Sequence, residues 1–593
     1  MIAPMTKYSF ILLKGDQEGL LEKLQEIGLV DITRSVKPID DKSAAILADA
    51  ERKHALLQSL DKVEIPEGLA HTAVSGDPEE AAKAALDHLA ELEDALKAAE
   101  KEAAASEPWG EYDRDKLRAV EDAGIPVHFH ITPAKAFKAE WADQYALSVV
   151  NELDGKVYYV VAGEDPLPDA LKRGPKASVT DIQAHIATLQ ANIDREKAVL
   201  AGVKDVRGKI ENAARRNLSD LDLYLASQAA VPAAENTLVT LVGYAPVEDE
   251  EAVTKALDAT GEYYFKDAAA VEDNPPISFR NNKFVKMFEV LTDMYGRPAY
   301  NGFDPTPFIA VFFLLFFAFC MGDAGYGLVL IGLGFLLKKV DSFKSFFPLV
   351  VTLGAATTVI GFLFHTFFSV DISQWSIFQG FPFLPSKIAG YDGTMVLALV
   401  VGVLHISLAM IVKTIEETKT KGFKESLGTW GWTLLIVGGV AVAAFALTGV
   451  LDKAATKWVI IVLGVLSCLG IFVLNNIHRN PLINIGSGLW DTYNMASGLL
   501  GDVLSYLRLY ALGLAGSMLG MAFNSIGAMI LGDGSNWAMW IPFLLIVIVG
   551  HTLNIAMCVL GAFVHPLRLN FLEFFKNSGY EAAGRNYNPL KKQ

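Results

Sequence analysis

The stretch WDTYNMASGLLGDVLSYLRLYALGLAGSMLGMAFNSIGAMIL, residues 490–531, is apolar for longer than a bilayer requires, yet it holds Arg508 far from either end. A membrane helix needs about 20 apolar residues, so this arginine is not a flanking anchor. The next apolar run, IPFLLIVIVGHTLNIAMCVLGAFVHPLRLNFLEFF at 541–575, places Arg568 one turn after His565. A charge inside a bilayer costs roughly 3 kcal/mol or more and marks an ion or substrate path. Two of them on consecutive runs point to transport.

The rest of the 593 residues must be reconciled with that reading. The chain is 52% hydrophobic and still carries a net charge of −16. Both hold if the chain is divided, and the division falls near Asp304: charged and soluble-looking before it, apolar after it. The start, MIAPMTKYSFILLKGDQEG, has no basic n-region and no long apolar core, so no cleavable signal peptide is expected and the soluble part is expected in the cytoplasm. Cys320, Cys468 and Cys558 fall in or near apolar runs and suggest neither a disulfide framework nor a zinc site.

In the soluble half, KYSFILLKG (7–15), LVDIT (29–33) and NTLVTLVGYAP (236–246) read as strands, each near a helix-spaced segment. The two ends are expected to pair into one small α/β lobe, 1–70 with 230–275. Between them lie two heptad-like arms, about 79–105 and 178–215. Ala82, Ala85, Leu89, Leu92, Leu96 and Ala99 mark one seam; Ile182, Ile186, Leu189, Ile193, Leu200 and Val203 mark the other. Such seams predict an antiparallel coiled-coil hairpin, with a second α/β lobe at about 115–170. A 25-residue arm reaches about 40 Å, so this is a strut; a plain helical bundle is the alternative. The nearest approach to a phosphate loop, GVKDVRGK at 202–209, lacks the following Ser or Thr and lies within an arm. No catalytic site, cofactor, metal or nucleic-acid partner is expected.

The expected fold is therefore mostly α: an N-terminal arm (1–303) and a transmembrane domain (304–593). Eight spans are expected, at about 307–321, 323–337, 347–370, 394–412, 429–450, 458–475, 493–531 and 538–574, the first two forming a tight or partly re-entrant pair. Lys338, Lys339, Lys344, Lys413, Lys419, Lys421, Lys424 and Arg479 would face the cytoplasm with Lys576, Arg585, Lys591 and Lys592, against only Lys387, Lys453 and Lys457 outside. That bias puts both termini inside.

Arginine does not hand protons on, so the work of Arg508 is electrostatic. Asp502, six residues earlier, and Glu573, five after Arg568, lack the i±3 or i±4 spacing of a helical partner. The countercharge is expected from another polypeptide; a structural or snorkelling arginine is the bland alternative. His565 and Asn554 share a stripe with Arg568 and could hold water or pass protons. Ser505, Tyr506, Asn494 and Asn524 are weaker candidates, and His405 and His551 read as interhelical contacts.

Three stretches, residues 281–330, SYLRLYALGLAG (505–516) and LGAFVHPLRLNFLEFF (560–575), resemble the large membrane stator subunit of rotary V-type ATPases, called subunit I in prokaryotes and subunit a in eukaryotes. The resemblance covers the membrane half by motif and the N-terminal arm by architecture. It implies two offset half-channels facing a rotating ring of carboxylate-bearing proteolipids, with Arg508 and Arg568 in the family's two arginine motifs. His565, Ser505 and Asn554 are the other expected ion-path residues. It implies peripheral-stalk heterodimers on the N-terminal lobes, a contact with the central-stalk collar subunit, and a multi-pass location in a prokaryotic plasma membrane. Two acids of the eukaryotic pattern fall here at Cys558 and Asn494. A stand-alone secondary transporter and an anchor without an ion path are the competing readings.

Overall fold

The computed structural model describes the chain except at positions 36, 67, 75, 139, 165–166, 168–177, 236, 374–383, 386, 389, 448, 450–451, 475–480, 533–535 and 593. Arg479, the end of the distal lobe and part of the 532–536 loop therefore lie outside the described residues. The chain divides into two compact units, Met1–Phe10 with Val242–Pro589, and Ile11–Leu241 with Leu590–Gln593.

In the second of these, helices pair in two storeys. Pro78–Ser106 packs on Val179–Asp205, and Asp41–Lys62 packs on Arg207–Gln228. Ala82, Ala85 and Leu89 meet Ile193, Leu200 and Val203, continuous with Leu57, Leu60 and Ile210. Three of the four starts have a capping side chain: Asp40 Oδ1 accepts from Ser43 N at 2.8 Å, Asp77 Oδ1 from Glu79 N at 3.0 Å and Ser178 Oγ from Asp181 N at 3.3 Å, while Arg207–Gln228 has none. The expected 178–215 arm is two helices, because the ladder tightens at Val206, whose N–H bonds to Val203 O at 3.0 Å. Helix Asp41–Lys62 was not expected at all. The connection between the storeys crosses the long arm where Gly202 leaves room: a Cβ there would stand 1.8 Å from Thr72 O. A three-stranded antiparallel sheet, Val127–Pro133, Lys156–Ala162 and Leu147–Leu153, closes over the buried ring of Tyr159.

The other unit holds the apolar helices. Among the described residues, six helices are long and apolar enough to cross a membrane: Phe343–Leu363, Gly393–Lys421, Leu427–Ala446, Lys453–Phe472, Ile483–Leu531 and Trp537–Ser578. The chain is a multi-pass membrane protein. Two further apolar helices, Thr306–Met321 and Ala324–Leu337, have 16 and 14 residues; at ~1.5 Å per residue each is shorter than a ~30 Å hydrocarbon core.

Three boundaries differ from expectation. The expected 347–370 span ends at Leu363, and Thr366–Asp371 forms a hairpin with Val370 opposite Phe367. The long run begins at Pro481 and is pinched at Tyr506, between helices Pro481–Ser505 and Leu507–Leu531. Tyr506 N–H reaches back only three residues, to Val503 O at 3.1 Å, and Tyr506 itself keeps αR dihedrals, so this is one tightened turn and not a break. The last helix, Trp540–Arg568, runs into a π-helical turn, Leu569–Phe574.

The hairpin is strained. Phe368 and Ser369, its two loop residues, have φ of +47° and +59°. A two-residue loop with both φ positive is a type I′ turn, which favours Asn-Gly; in bulkier residues this conformation costs of order 1–3 kcal/mol each.

Candidate functional site: two arginines and a polar column

Helix Thr306–Met321 packs against both Leu507–Leu531 and Trp540–Arg568, and these three build the site. Phe313, Phe316, Tyr506, Leu509, Ala562 and Phe574 are wholly or almost wholly buried in their common core. The last two helices approach closely through small residues: a Cβ on Gly516 would stand 2.6 Å from Cys558 Sγ.

Arg508 lies in the first turn after the pinch and is half-buried, and its Nη1 has no hydrogen-bond partner among the described residues. Neither Arg508 nor Arg568 is ion-paired to a described residue. Asp502 is occupied elsewhere, by Lys576 Nζ at 3.2 Å and Asn577 Nδ2 at 2.8 Å. Arg568 is exposed and His565 half-buried; both guanidiniums, Arg508 more strongly, act electrostatically on His565, whose buried Nδ1 has no partner among the described residues. His565 thus lies within the electrostatic field of both arginines.

Five residues separate Glu573 from Arg568, too many for an α-helical i+3 or i+4 partner. In a π-helical turn hydrogen bonds run i→i+5, and this spacing brings the carboxyl within the field of Arg568. Glu573 is 4% exposed, its Oε2 has no hydrogen-bond partner among the described residues, and Ser505 lies against its carboxyl. Ser505 Oγ itself donates to Gly501 O at 3.1 Å. The Arg568-to-Glu573 interval was visible in the sequence; the π register was not.

Asn554 stands in a different place, in a column of hydrogen bonds toward the hairpin end. Its Nδ2 donates to Tyr326 Oη and to Gly516 O, both at 2.8 Å, and its Oδ1 accepts from Cys558 Sγ at 3.4 Å. Tyr326 Oη is 2.7 Å from His551 Nδ1, and His551 Nε2 is 2.9 Å from Asn524 Oδ1. Asn524 Nδ2 donates to Phe368 O at 2.8 Å. That last bond makes Asn524 Oδ1 an acceptor, so His551 carries its proton on Nε2 and accepts from Tyr326 at Nδ1. His551 and Asn524, set low from the sequence, are therefore members of the column. His405 is a packed contact: its Nδ1 meets Tyr506 Oη at 2.9 Å and its ring stacks on Phe574 at 4.8 Å. Asn494 is exposed.

Two cavities border the helix of Arg508. One, about 230 Å³, is lined by Phe319, Thr366, Asp392, Tyr510, Gly513 and Ser517. The other, about 120 Å³, is lined by Cys320, Leu512, Gly516, Asn554 and Cys558. Among the described residues, no three His, Cys, Asp or Glu side chains are grouped to hold a metal ion.

Comparison with known proteins bears on this arrangement. Residues 174–377 match the family described as the V-type ATPase 116kDa subunit family. V-type ATP synthase subunit I 1 of Treponema pallidum is 25% identical over 645 residues, covering 100% of both chains. A-type ATP synthase subunit I of Pyrococcus abyssi is 30% identical over 424 residues, 67% of this chain and 62% of the relative. A solved structure of the cytoplasmic N-terminal domain of subunit I, homolog of subunit a, of V-ATPase covers 45% of this chain and 100% of its own at 15% identity. Its TM-score of 0.16 carries no weight for the fold.

Proposed function

We propose that the chain, whose residues 174–377 match the V-type ATPase 116kDa subunit family, is the static, ion-translocating subunit of a rotary V/A-type ATPase or ATP synthase. The observation that carries the reading is Arg508: a guanidinium whose buried Nη1 has no hydrogen-bond partner, and which has no carboxylate paired to it, among the described residues. Such a charge needs a partner, and a ring of proteolipid carboxylates passing the helix supplies one.

A carboxylate must be neutral or ion-loaded against lipid and ionised against the stator. At 4 Å and an effective dielectric near 20, its attraction to Arg508 is about 4 kcal/mol, equivalent to about three pKa units. The fixed charge also blocks a direct leak between two half-channels. The outer half-channel draws on the hairpin-end column of Asn524, His551, Tyr326 and Asn554 and on the 230 Å³ cavity. The inner one draws on His565, Arg568, Ser505 and Glu573. This assignment takes eight crossings, counting the two short helices, with both termini cytoplasmic. The N-terminal lobes then hold peripheral stalks, and the chain contributes no ATP-hydrolysing site.

The test is ATP-driven ion uptake into membrane vesicles carrying Arg508→Ala, with a pull-down of the complex. Normal assembly with uptake abolished is expected; wild-type uptake would sink the reading.

A further inference from the structure

The strained hairpin and the column meet at one carboxylate. Asp323, 4% exposed, begins helix Ala324–Leu337, where its Oδ1 accepts from Gly325 N at 2.8 Å and Tyr326 N at 3.2 Å. The same side chain reaches 45 residues along the chain. Phe368 N donates to Oδ1 at 2.9 Å and Ser369 N donates to Oδ2 at 2.6 Å. These are the amides of the two loop residues whose backbone is left-handed. One carboxylate therefore ties both strained residues to the start of the helix that carries Tyr326.

What the tie positions is Phe368. Its ring lies edge-on to His551 at 5.6 Å and to Tyr326 at 5.7 Å, while its carbonyl accepts from Asn524. The fit leaves little freedom. A Cβ on Gly325 would stand 2.4 Å from the Phe368 ring, and one on Gly520 would stand 2.0 Å from Ser369 Oγ. Nothing in the loop sequence favours this turn, since neither residue is glycine or asparagine. Held amides replace local preference.

We propose that Asp323 is a positioning residue: its carboxylate latches the Phe368–Ser369 turn so that Phe368 covers the end of the Asn524–His551–Tyr326–Asn554 column and sets how solvent enters it. The latch rests on the proposed outer half-channel for its effect on transport, but not for its effect on the hairpin. In this role the carboxylate is an acceptor of fixed amides and carries no ion itself.

Two readouts on the full-length protein in its assembled complex separate the possibilities. Hydrogen exchange of the peptide spanning 364–371 should be about tenfold faster in Asp323→Ala than in the wild type. Unchanged exchange overturns the latch whatever happens to transport. Asp323→Ala should also lower ATP-driven uptake severalfold, and the added change Ser369→Gly should restore most of it, because glycine adopts positive φ without strain. Uptake that falls but is not rescued would make Asp323 an ion carrier and overturn the proposal, as would uptake unaffected by Asp323→Ala. A failure of the stator reading shows separately, as wild-type uptake in Arg508→Ala with the exchange result intact.

Discussion

Lys576 Nζ lies 3.2 Å from Asp502 Oδ2, and Asn577 Nδ2 donates to the same oxygen at 2.8 Å. The acid preceding Arg508 in its own run is thereby committed to the end of the last helix. Lys576 is 60% exposed, so the pair contributes at most about 1 kcal/mol after solvent screening. Asp502→Asn should lower the unfolding temperature slightly and change coupled uptake less than about twofold. An uptake loss as large as that of Arg508→Ala would mean that Asp502 is the working partner of the arginine.

The placement of His565 invites a sidedness test. In a background lacking Cys320, Cys468 and Cys558, single cysteines at positions 561 and 565 should react with a small hydrophilic thiol reagent added from the cytoplasmic side. Labelling only from outside would reverse the proposed topology. Absence of labelling from both sides would reduce His565 to a packed contact.

At the crossing of the two storeys, Gly202→Val should be costly. The new Cβ would begin 1.8 Å from a backbone oxygen, so the 63–77 connection must move, and overpacking of this kind costs about 1–3 kcal/mol. Faster proteolysis of that connection in the full-length protein is the expected signature; wild-type resistance would show that the connection yields freely.

Asp40 gives a pH-dependent case. Its carboxyl is pulled down to about 2, first by the Ser43 hydroxyl and next by the Tyr224 phenol. A depressed acid stabilises the fold above its unfolded pKa, about 3.9, and that contribution disappears as pH falls through the folded value. Asp40→Ala should therefore lower the denaturant midpoint of the helical arm at pH 7, by a margin that narrows between about pH 4 and pH 2. A margin independent of pH would place the effect in something other than the ionised carboxylate.

How far the chain could be read depends on where each feature is encoded. Arg508 and Arg568 stand out because a charge contrasts with its apolar neighbours within a few residues. The seams of the long arms are equally local. Helix Asp41–Lys62 was legible and missed: Asp40 and Ser43 form a reciprocal cap, and Ala50, Lys53, Leu57 and Leu60 recur on one buried face. The hairpin was not legible, because its turn is held by a carboxylate 45 residues away. Nor was the pinch at Tyr506, in a segment without glycine or proline, where the buried phenol is fixed by His405 about a hundred residues earlier. The column is of the same kind: its members come from separate helices and acquire meaning only through donor–acceptor bookkeeping that spacing does not contain.

The tightened ladder at Val206 has a mechanical corollary. The connection at 63–77 passes Gly202 and bonds there, Thr72 N to Ala198 O at 3.0 Å, while Lys204 Nζ holds Val63 O at 2.8 Å. Both strands of the arm are thus discontinuous within a few residues of the same level. Flexural rigidity depends on unbroken hydrogen-bond ladders running side by side, so at this level it rests on those two bonds. A torque applied at the far lobe would concentrate its curvature at this joint, leaving the rods on either side nearly straight and giving the arm the compliance of a hinged beam.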